Sequence, residues 1–371
     1  MARRTVVAEE PAPECDRIEG VPHPRETLEL IGHEEAERAL LAAFASGMPH
    51  GWILSGPRGI GKATLAYRLA RAVLARPQGE RLTSLDVPPG HPIARQVAGL
   101  AHPDLFIVRR RWDAKEKRFP KELVAGEVRR LPEFFAKTAG SGGWRVAIVD
   151  AADEMNAHAA NALLKILEEP PRRALILLVS HAPGGLLPTI RSRVRQLRLR
   201  ALGDPDMRRV LALHGTALDA EEEARLLALA EGSPGEALRL LNEGGLDLLA
   251  RVDEALGALP AVSGPAHALA TSVAGKGAEA RYAMALALIA RRLQDAIGAR
   301  AAGEGAAPRL LGAAPLDVWI EVWETLGRLG RSVSSLNLER GASLLAAFEM
   351  MAAAMRGVRP AAFAGDVFRE F

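Results

Sequence analysis

A glycine-rich segment that could bind phosphate groups reads Gly-Pro-Arg-Gly-Ile-Gly-Lys and ends at Lys62. It follows the apolar run Trp52-Ile53-Leu54, which predicts a buried strand, and precedes a helical pattern over Thr64 to Leu74. In this context glycines let backbone N–H groups curl around phosphate oxygens, and the lysine reaches the terminal phosphates. The alternative is a glycine-rich turn without a ligand. The loop glycines are Gly56, Gly59 and Gly61.

The residues that would hold Mg²⁺ beside such a loop are incomplete. The position after Lys62, where a hydroxyl should bind the metal, is Ala63, and Thr64 lies about 100° further round the helix. Asp150 ends the apolar strand Val146 to Val149 and could hold the ion, but Ala151 follows it. The next acidic residues, Asp153 and Glu154, are interpreted as helix N-caps.

The sequence therefore predicts a degenerate nucleotide site with no resident metal, able at most to bind ATP or ADP weakly without hydrolysis. Its candidate residues are Gly56, Gly59, Gly61, Lys62, Thr64 and Asp150.

The elements that position these residues alternate between strands and helices, which predicts an α/β domain with a parallel sheet and flanking helices. Further predicted strands are Leu105 to Val108, Leu175 to Val179 and Gln196 to Arg200. Further predicted helices are Glu34 to Phe44, Asn156 to Glu169, Pro205 to His214, Ala220 to Ala230 and Gly235 to Asn242. From about residue 249 the chain reads as helical throughout.

We therefore predict a disordered lead over residues 1–20, an α/β P-loop domain over 21–200, a helical lid over 201–248 and an all-α C-terminal domain over 249–371. The charged stretch Arg109 to Arg118 is interpreted as a solvated turn, with a DNA contact as the alternative. The C-terminal helices are predicted to be the main oligomerisation element. Their apolar stripes include Leu286, Ile289, Leu293, Trp319 and Trp323, and an ordinary core is the alternative.

Composition limits the class of protein. The chain has 371 residues, enough for two or three domains, and is 49% hydrophobic and 25% charged. A net charge of +3 does not by itself indicate a nucleic-acid binder. The single cysteine, Cys15, excludes internal disulfides and fits a cytoplasmic protein, and no apolar run predicts a membrane span. Because His91 and His102 lack cysteine partners, no zinc site is expected.

A specific resemblance comes from Asn-Ala-Leu-Leu-Lys at 161–165 followed by Leu-Glu-Glu-Pro-Pro at 167–171. Together with His-Pro-Asp-Leu at 102–105 and Gly-Ser-Pro-Gly at 232–235, these motifs resemble the clamp-loader AAA+ family, which includes the gamma/tau and delta-prime subunits of bacterial DNA polymerase III. The resemblance spans roughly residues 25–245 and implies an AAA+ fold.

The family resemblance also assigns roles to single residues. Ser192 and Arg193 match a Ser-Arg-Cys motif that supplies an arginine finger to the ATP of the adjacent subunit, although Val194 replaces the cysteine. A surface salt bridge is the alternative, because four more arginines lie within residues 191–200. Ser180 matches a sensor-1 position, and Gly235 stands where hydrolysing relatives carry a sensor-2 arginine.

The losses at Ala63, Ala151 and Gly235, with Arg193 retained, resemble the pattern of delta-prime, a stator that completes its neighbour's site. Such a subunit would assemble with gamma/tau and delta subunits and, through the complex, act on primer-template DNA and the sliding clamp, with no membrane partner. One alternative is an ATP-hydrolysing AAA+ motor of the gamma/tau or helicase type. Another is a DNA-binding adaptor outside any clamp loader.

Overall fold

The chain divides into two compact units, Met1–Arg239 and Leu240–Phe371. The computed structural model describes residues 13–76, 80–136, 143–275, 277–303, 309–336 and 339–359. The boundary between the units lies nine residues before the predicted end of the lid at residue 248 (248 − 239 = 9). The four domain ranges stay a prediction.

A single five-stranded parallel sheet forms the centre of the first unit, in the order β2-β3-β4-β1-β5. The strands are β1 Gly51–Ser55, β2 Leu105–Val108, β3 Arg145–Val149, β4 Ala174–Ser180 and β5 Arg195–Arg198. The inner strands β1, β3 and β4 are buried along their whole length, as expected for a parallel sheet covered on both faces. The predicted α/β architecture with flanking helices is confirmed.

Within the described part of the first unit, seven α-helices flank this sheet. They are α1 Glu34–Gly47, α2 Lys62–Ala75, α3 Pro92–Ala98, α4 Ala125–Val128, α5 Leu131–Ala136, α6 Ala157–Glu168 and α7 Pro188–Arg191. The three long ones were predicted, but the four helices of four to seven residues were not, because they are too short to show a helical period. The stretch Arg109 to Arg118 forms a turn closed by a bridge between Asp113 and Arg118.

Three lid helices follow the sheet. They are α8 Asp204–Leu213, α9 Ala220–Ala230 and α10 Pro234–Asn242. Helix α9 begins with a capping box, in which Asp219 accepts from the backbone N–H of Glu222 and the Glu222 side chain accepts in return from the Asp219 N–H. Ser233 caps α10, because its hydroxyl accepts from the N–H of Glu236 at 3.2 Å. All three helices were predicted within one residue at each end.

A well-anchored segment, residues 13–27, precedes the first helix, and we call it the strap. Arg25 binds both carboxylate oxygens of Glu14, at 2.8 and 3.0 Å, and Arg109 pairs with Asp16 at 2.7 Å. Arg71 donates to the carbonyls of residues 25 and 27 at 2.9 and 2.7 Å. Residues 13–20 were predicted to be disordered, and these buried ion pairs correct that prediction. Residues 1–12 lie outside the described part of the chain.

The second unit consists of helices packed on one another. They are α11 Gly245–Gly257, α12 Gly264–Ala274, α13 Glu279–Ala302, α14 Leu316–Leu336 and α15 Arg340–Met355. Within the described ranges, no helix combines the length and apolarity needed to cross a membrane.

The apolar stripes of this unit are mostly its own core, which corrects part of the oligomerisation prediction. Leu286, Ile289 and Leu293 are buried, and so is Trp319, whose indole N–H donates to a backbone carbonyl at 2.9 Å. Trp323 is 42% exposed, although it stands only four residues after Trp319. These four buried side chains stabilise the monomer and cannot contact a partner.

Candidate functional site

The glycine-rich loop lies between β1 and α2, as the sequence predicts. Gly59 and Gly61 adopt positive φ angles of 76° and 102°, a region that glycine enters without strain. The ammonium group of Lys62 donates to the carbonyl of Gly56 at 2.7 Å and also to that of Pro57. Burial lowers the pKa of Lys62 to about 8, against the opposing charges of nearby carboxylates. The lysine thus hydrogen-bonds to its own loop.

The two positions that would ligate Mg²⁺ are not free to do so. Ala63 is partly exposed, whereas the hydroxyl-bearing Thr64 is buried in the first unit. Asp150 follows the last residue of β3 and lies close enough to Asp16 of the strap for the charge of Asp16 to act on it. Burial raises the pKa of Asp150 to about 7, and the charge of Asp16 acts in the same direction. Both effects disfavour the charged carboxylate that a magnesium ion would need.

Asp153 lies beside the loop lysine, and sequence reasoning missed this. Its carboxylate accepts from the N–H groups of His181 and Ala182, at 2.9 and 3.2 Å, just beyond the end of β4. Burial lowers the pKa of His181 to about 4, and the positive charge of Lys62 lowers it further. Ser180 is fully buried at the end of β4.

The prediction that Asp153 and Glu154 cap a helix is wrong. Asn156 caps α6 instead, accepting from the N–H of Ala159 at 2.9 Å. Glu154 pairs with Arg110 at 2.7 Å. Asp153 is drawn to the end of β4 by the two N–H groups there, a long-range contact that leaves no local signature in the sequence.

The start of α10 is bonded directly to the phosphate-binding loop. Ser233 donates through its hydroxyl to the carbonyl of Arg58 at 2.8 Å, and the N–H of Gly235 donates to the carbonyl of Gly59 at 2.9 Å. A Cβ atom at Gly235 would lie 2.9 Å from the Cα of Gly59, which is too close for two carbon atoms. No side chain can occupy this position while α10 contacts the loop, and an arginine would displace the helix.

These contacts do not fit a bound Mg²⁺–nucleotide complex. Lys62 is bonded to its own loop, Ala63 offers no hydroxyl group, and burial disfavours the charged form of Asp150. The site brings Gly56, Gly59, Gly61, Lys62 and Asp150 together, and Thr64 is buried on α2. No group of three or more metal-ligating side chains is arranged around a common point in the described ranges.

Arg193 lies at the opposite end of the strands from the phosphate-binding loop. The residue two positions later, Arg195, pairs in register with Trp52 near the start of β1, whereas the loop follows the end of β1. Gly56 is four residues beyond Trp52, about 13 Å at 3.3 Å per residue. The Arg193 guanidinium is therefore too far from its own loop to reach phosphate bound there.

The residues around Arg193 make different contacts. Ser192 donates through its hydroxyl to the carbonyl of Thr189 at 3.1 Å, so it caps α7. Arg195 places its guanidinium 5.4 Å from the ring centre of Trp52. Arg193 is 35% exposed and pairs with Glu168 at 2.8 Å. Arg193 therefore differs from its neighbours, because it neither caps a helix nor stacks on a ring.

Part of the chain, within the first unit, is similar to a known protein family. Residues 32–203 match the family described as DNA polymerase III, delta subunit. The matched range contains the loop, the strand ending in Asp150, the Leu-Glu-Glu-Pro-Pro motif and Arg193.

Individual relatives agree with this match. The chain is 36% identical over 205 residues to the DNA polymerase III subunit delta' of Pseudomonas aeruginosa, covering 55% of this chain and 60% of that protein. It is 34% identical over 207 residues to the delta' subunit of Escherichia coli strain K12, covering 54% and 57%. The gamma/tau subunit of Mycobacterium bovis is 29% identical over 253 residues, covering 64% and 40%. The chain spans about three fifths of the length of these two delta' relatives.

Proposed function

We propose that this chain is a delta-prime-type stator subunit of a bacterial clamp loader, because residues 32–203 match the family described as DNA polymerase III, delta subunit. It would assemble with gamma/tau and delta subunits and, through the complex, serve to load the sliding clamp on primer-template DNA. The same proposal includes action in the cytoplasm. It also includes the division of the chain into a P-loop domain, a lid and a C-terminal collar over residues 249–371.

The observation that carries the proposal is the contrast between the two ends of the sheet. At one end, the loop of Lys62 is bonded to the lid, and burial disfavours the charged form of Asp150. At the other end, Arg193 is exposed and has no acceptor in the loop. It precedes β5 near the level of Trp52, and Trp52 is about 13 Å from Gly56 of the loop. A subunit so built is suited to contribute a cation to another subunit's site and unsuited to hydrolyse ATP itself.

In the proposed mechanism, Arg193 is the residue that acts. Its delocalised guanidinium, held by a capped α7, donates to the phosphate oxygens of ATP bound by the adjacent subunit as negative charge develops there. Ser192 keeps the end of α7 in place through its bond to the carbonyl of Thr189. No step passes through nucleotide bound at Lys62, and weak binding of ATP or ADP there without hydrolysis stays a prediction.

Reconstitution of the complex with purified gamma/tau and delta subunits tests this function. We expect the isolated protein to show no ATP turnover and the reconstituted complex to show DNA-stimulated turnover. Arg193→Ala should lower the turnover of the complex by about 10³-fold or more, the scale of a finger supplied in trans. Arg193→Lys should rescue only partly, because an ammonium group cannot make a forked contact.

Arg195→Ala is the matched control, because Arg195 lies on the same edge but stacks on Trp52. Equal losses from the two alanine variants would show that general positive charge, and not a finger, is what the complex requires. Robust turnover by the isolated chain that disappears in Lys62→Ala would instead establish the motor alternative. Failure to form any complex with polymerase subunits would leave the adaptor alternative.

A further inference from the structure

The side chain of Arg193 lies folded back on its own unit. Its Nη1 atom donates to the carbonyl of Thr189 at 3.0 Å, and its Nη2 atom pairs with Oε1 of Glu168 at 2.8 Å. Both terminal nitrogens of the guanidinium therefore have acceptors on the same chain. The Glu168 side chain is itself 49% exposed, so a competing anion can reach this ion pair from solvent.

The backbone around Arg193 is held by its contacts, so a change of position at this residue would involve its side chain alone. Its backbone N–H donates to the carbonyl of Ile190 at 3.1 Å. The next residue, Val194, packs so closely on β1 that a Cβ atom at Gly51 would lie 2.6 Å from it. Glu168 is the last residue of α6, where the partial negative charge of the helix C-terminus also attracts a cation. The guanidinium is thus held at a defined place by α6 and α7.

We propose that Glu168 is the resting counter-ion of Arg193. It holds the guanidinium against the end of α6 until phosphate oxygens of a nucleotide on an adjacent subunit take its place. An exposed ion pair contributes little to stability, whereas a forked guanidinium–phosphate contact at an interface is strong, so the exchange favours the phosphate. Glu168 is a positioning residue, and this inference rests on the finger role proposed for Arg193.

The isolated protein allows a test that needs no partner. Phenylglyoxal, which modifies accessible guanidinium groups, should react with Arg193 about two- to fivefold faster in Glu168→Gln than in the unchanged protein, as expected for the loss of a weak surface pair. Mass spectrometry of the modified peptides gives the rate, with Arg195 as an internal reference. Glu169→Gln is the matched control, because the Glu169 side chain makes no ion pair within the described residues. An unchanged rate at Arg193 in Glu168→Gln overturns the proposal.

The reconstituted complex gives a second, independent readout. Without the competing carboxylate, Glu168→Gln should lower the apparent KM for ATP about two- to fivefold and leave kcat within about twofold. In an Arg193→Ala background, Glu168→Gln should have no further effect, because the two residues act as a pair. A fall in kcat, or an effect that persists without Arg193, would show a structural role and overturn the proposal. If Arg193→Ala alone changes nothing, the finger assignment itself fails, which is a different result.

Discussion

The carboxylate of Glu14 helps to hold the strap in place. Burial raises its pKa, but hydrogen bonds from Arg25, Arg109 and Arg17 outweigh this effect, so the pKa lies well below its ordinary value of 4.5. A carboxylate with a lowered pKa stabilises the folded state above its unfolded pKa, and this stabilisation is lost as pH falls toward the folded value. The strap should therefore be firmly attached at neutral pH and loosen in acid.

We expect Glu14→Gln to lower the free energy of unfolding by about 1–3 kcal/mol at pH 7, the range for a hydrogen bond to a charged group. The difference in unfolding free energy between Glu14→Gln and the unchanged protein should shrink as pH falls below about 4.5. At that pH the Glu14 carboxylate becomes protonated in the unfolded chain while it is still charged in the folded protein. Thermal unfolding followed across pH 3–8 measures this. Glu122→Gln, an exposed acid in the same unit, should show neither effect. A difference that does not vary with pH would exclude the charge of Glu14 as its cause.

Individual site residues were only partly predictable. The loop glycines, Lys62 and Asp150 follow from local sequence, because strand, turn and helix signals lie side by side. The charge interaction between Asp150 and Asp16, and the hydrogen bond between Asp153 and the end of β4, join residues 134 and 28 positions apart (150 − 16 and 181 − 153). Such contacts depend on strand order and on the path of the strap, neither of which is encoded near these residues.

Among the elements, the junction of α10 with the phosphate-binding loop depends on a missing side chain. Gly235 has an ordinary φ angle, so only the close approach of Gly59 requires glycine there. In Gly235→Ala the added methyl group meets backbone atoms that cannot rotate away. We expect it to destabilise the first unit by about 1–3 kcal/mol, the usual cost of overpacking, and to increase hydrogen exchange at the start of α10.

Gly298→Ala gives the matched control for this prediction. Gly298 lies within α13, four residues before its last residue (302 − 298), and no atom outside the neighbouring helix backbone lies within 4 Å of its added Cβ. The same substitution should therefore stabilise the protein by about 0.5–1 kcal/mol, because alanine is the better helix residue. If Gly235→Ala also proves neutral or stabilising in chemical denaturation, α10 does not pack against the phosphate-binding loop in solution as closely as described.

The elements themselves were largely predictable where patterns are long. Strands β1 to β4 are built on continuous apolar runs, and α9 carries its own capping residues, so local chemistry sufficed there. Helices such as α3 and α7 complete only one or two turns and begin at proline, and their sequence reads equally well as loop. Trp319 and Trp323 show a further limit of sequence patterns. Helical periodicity indicates that a helix has an apolar face, but it does not show whether that face packs inside the same unit or stays exposed.

At the scale of the whole molecule, assembly must use surfaces that the core leaves exposed. Ile320 and Trp323 lie three residues apart on α14, and their side chains are 48% and 42% exposed. Among the α14 residues whose side chains the structure describes, 316–330, these are the two large apolar side chains that are exposed. We therefore predict that the oligomerisation face lies on this side of α14.

The double variant Ile320→Ser, Trp323→Ala should weaken assembly with gamma/tau and delta subunits by about 30-fold or more, as expected for loss of an aromatic anchor of about 2 kcal/mol. Exposed positions contribute little to folding, so its unfolding free energy should change by less than about 0.5 kcal/mol. Sedimentation of mixed subunits measures the affinity. Leu213→Ser removes a side chain that is also exposed, on the lid, and should assemble normally. Normal assembly of the double variant would place the contact elsewhere.

The order of the strands also has a consequence for synthesis on the ribosome. Strand β1 pairs with β4 and β5, and its first residue, Gly51, meets Ile176, which lies 125 positions later (176 − 51). At about 5–20 residues per second, roughly 6–25 s pass between the appearance of the two partners. During this interval the apolar strand and the buried face of α2 have no sheet to join. Nascent chains of fewer than about 200 residues should therefore be the ones that chaperones hold, and release should follow the emergence of β5.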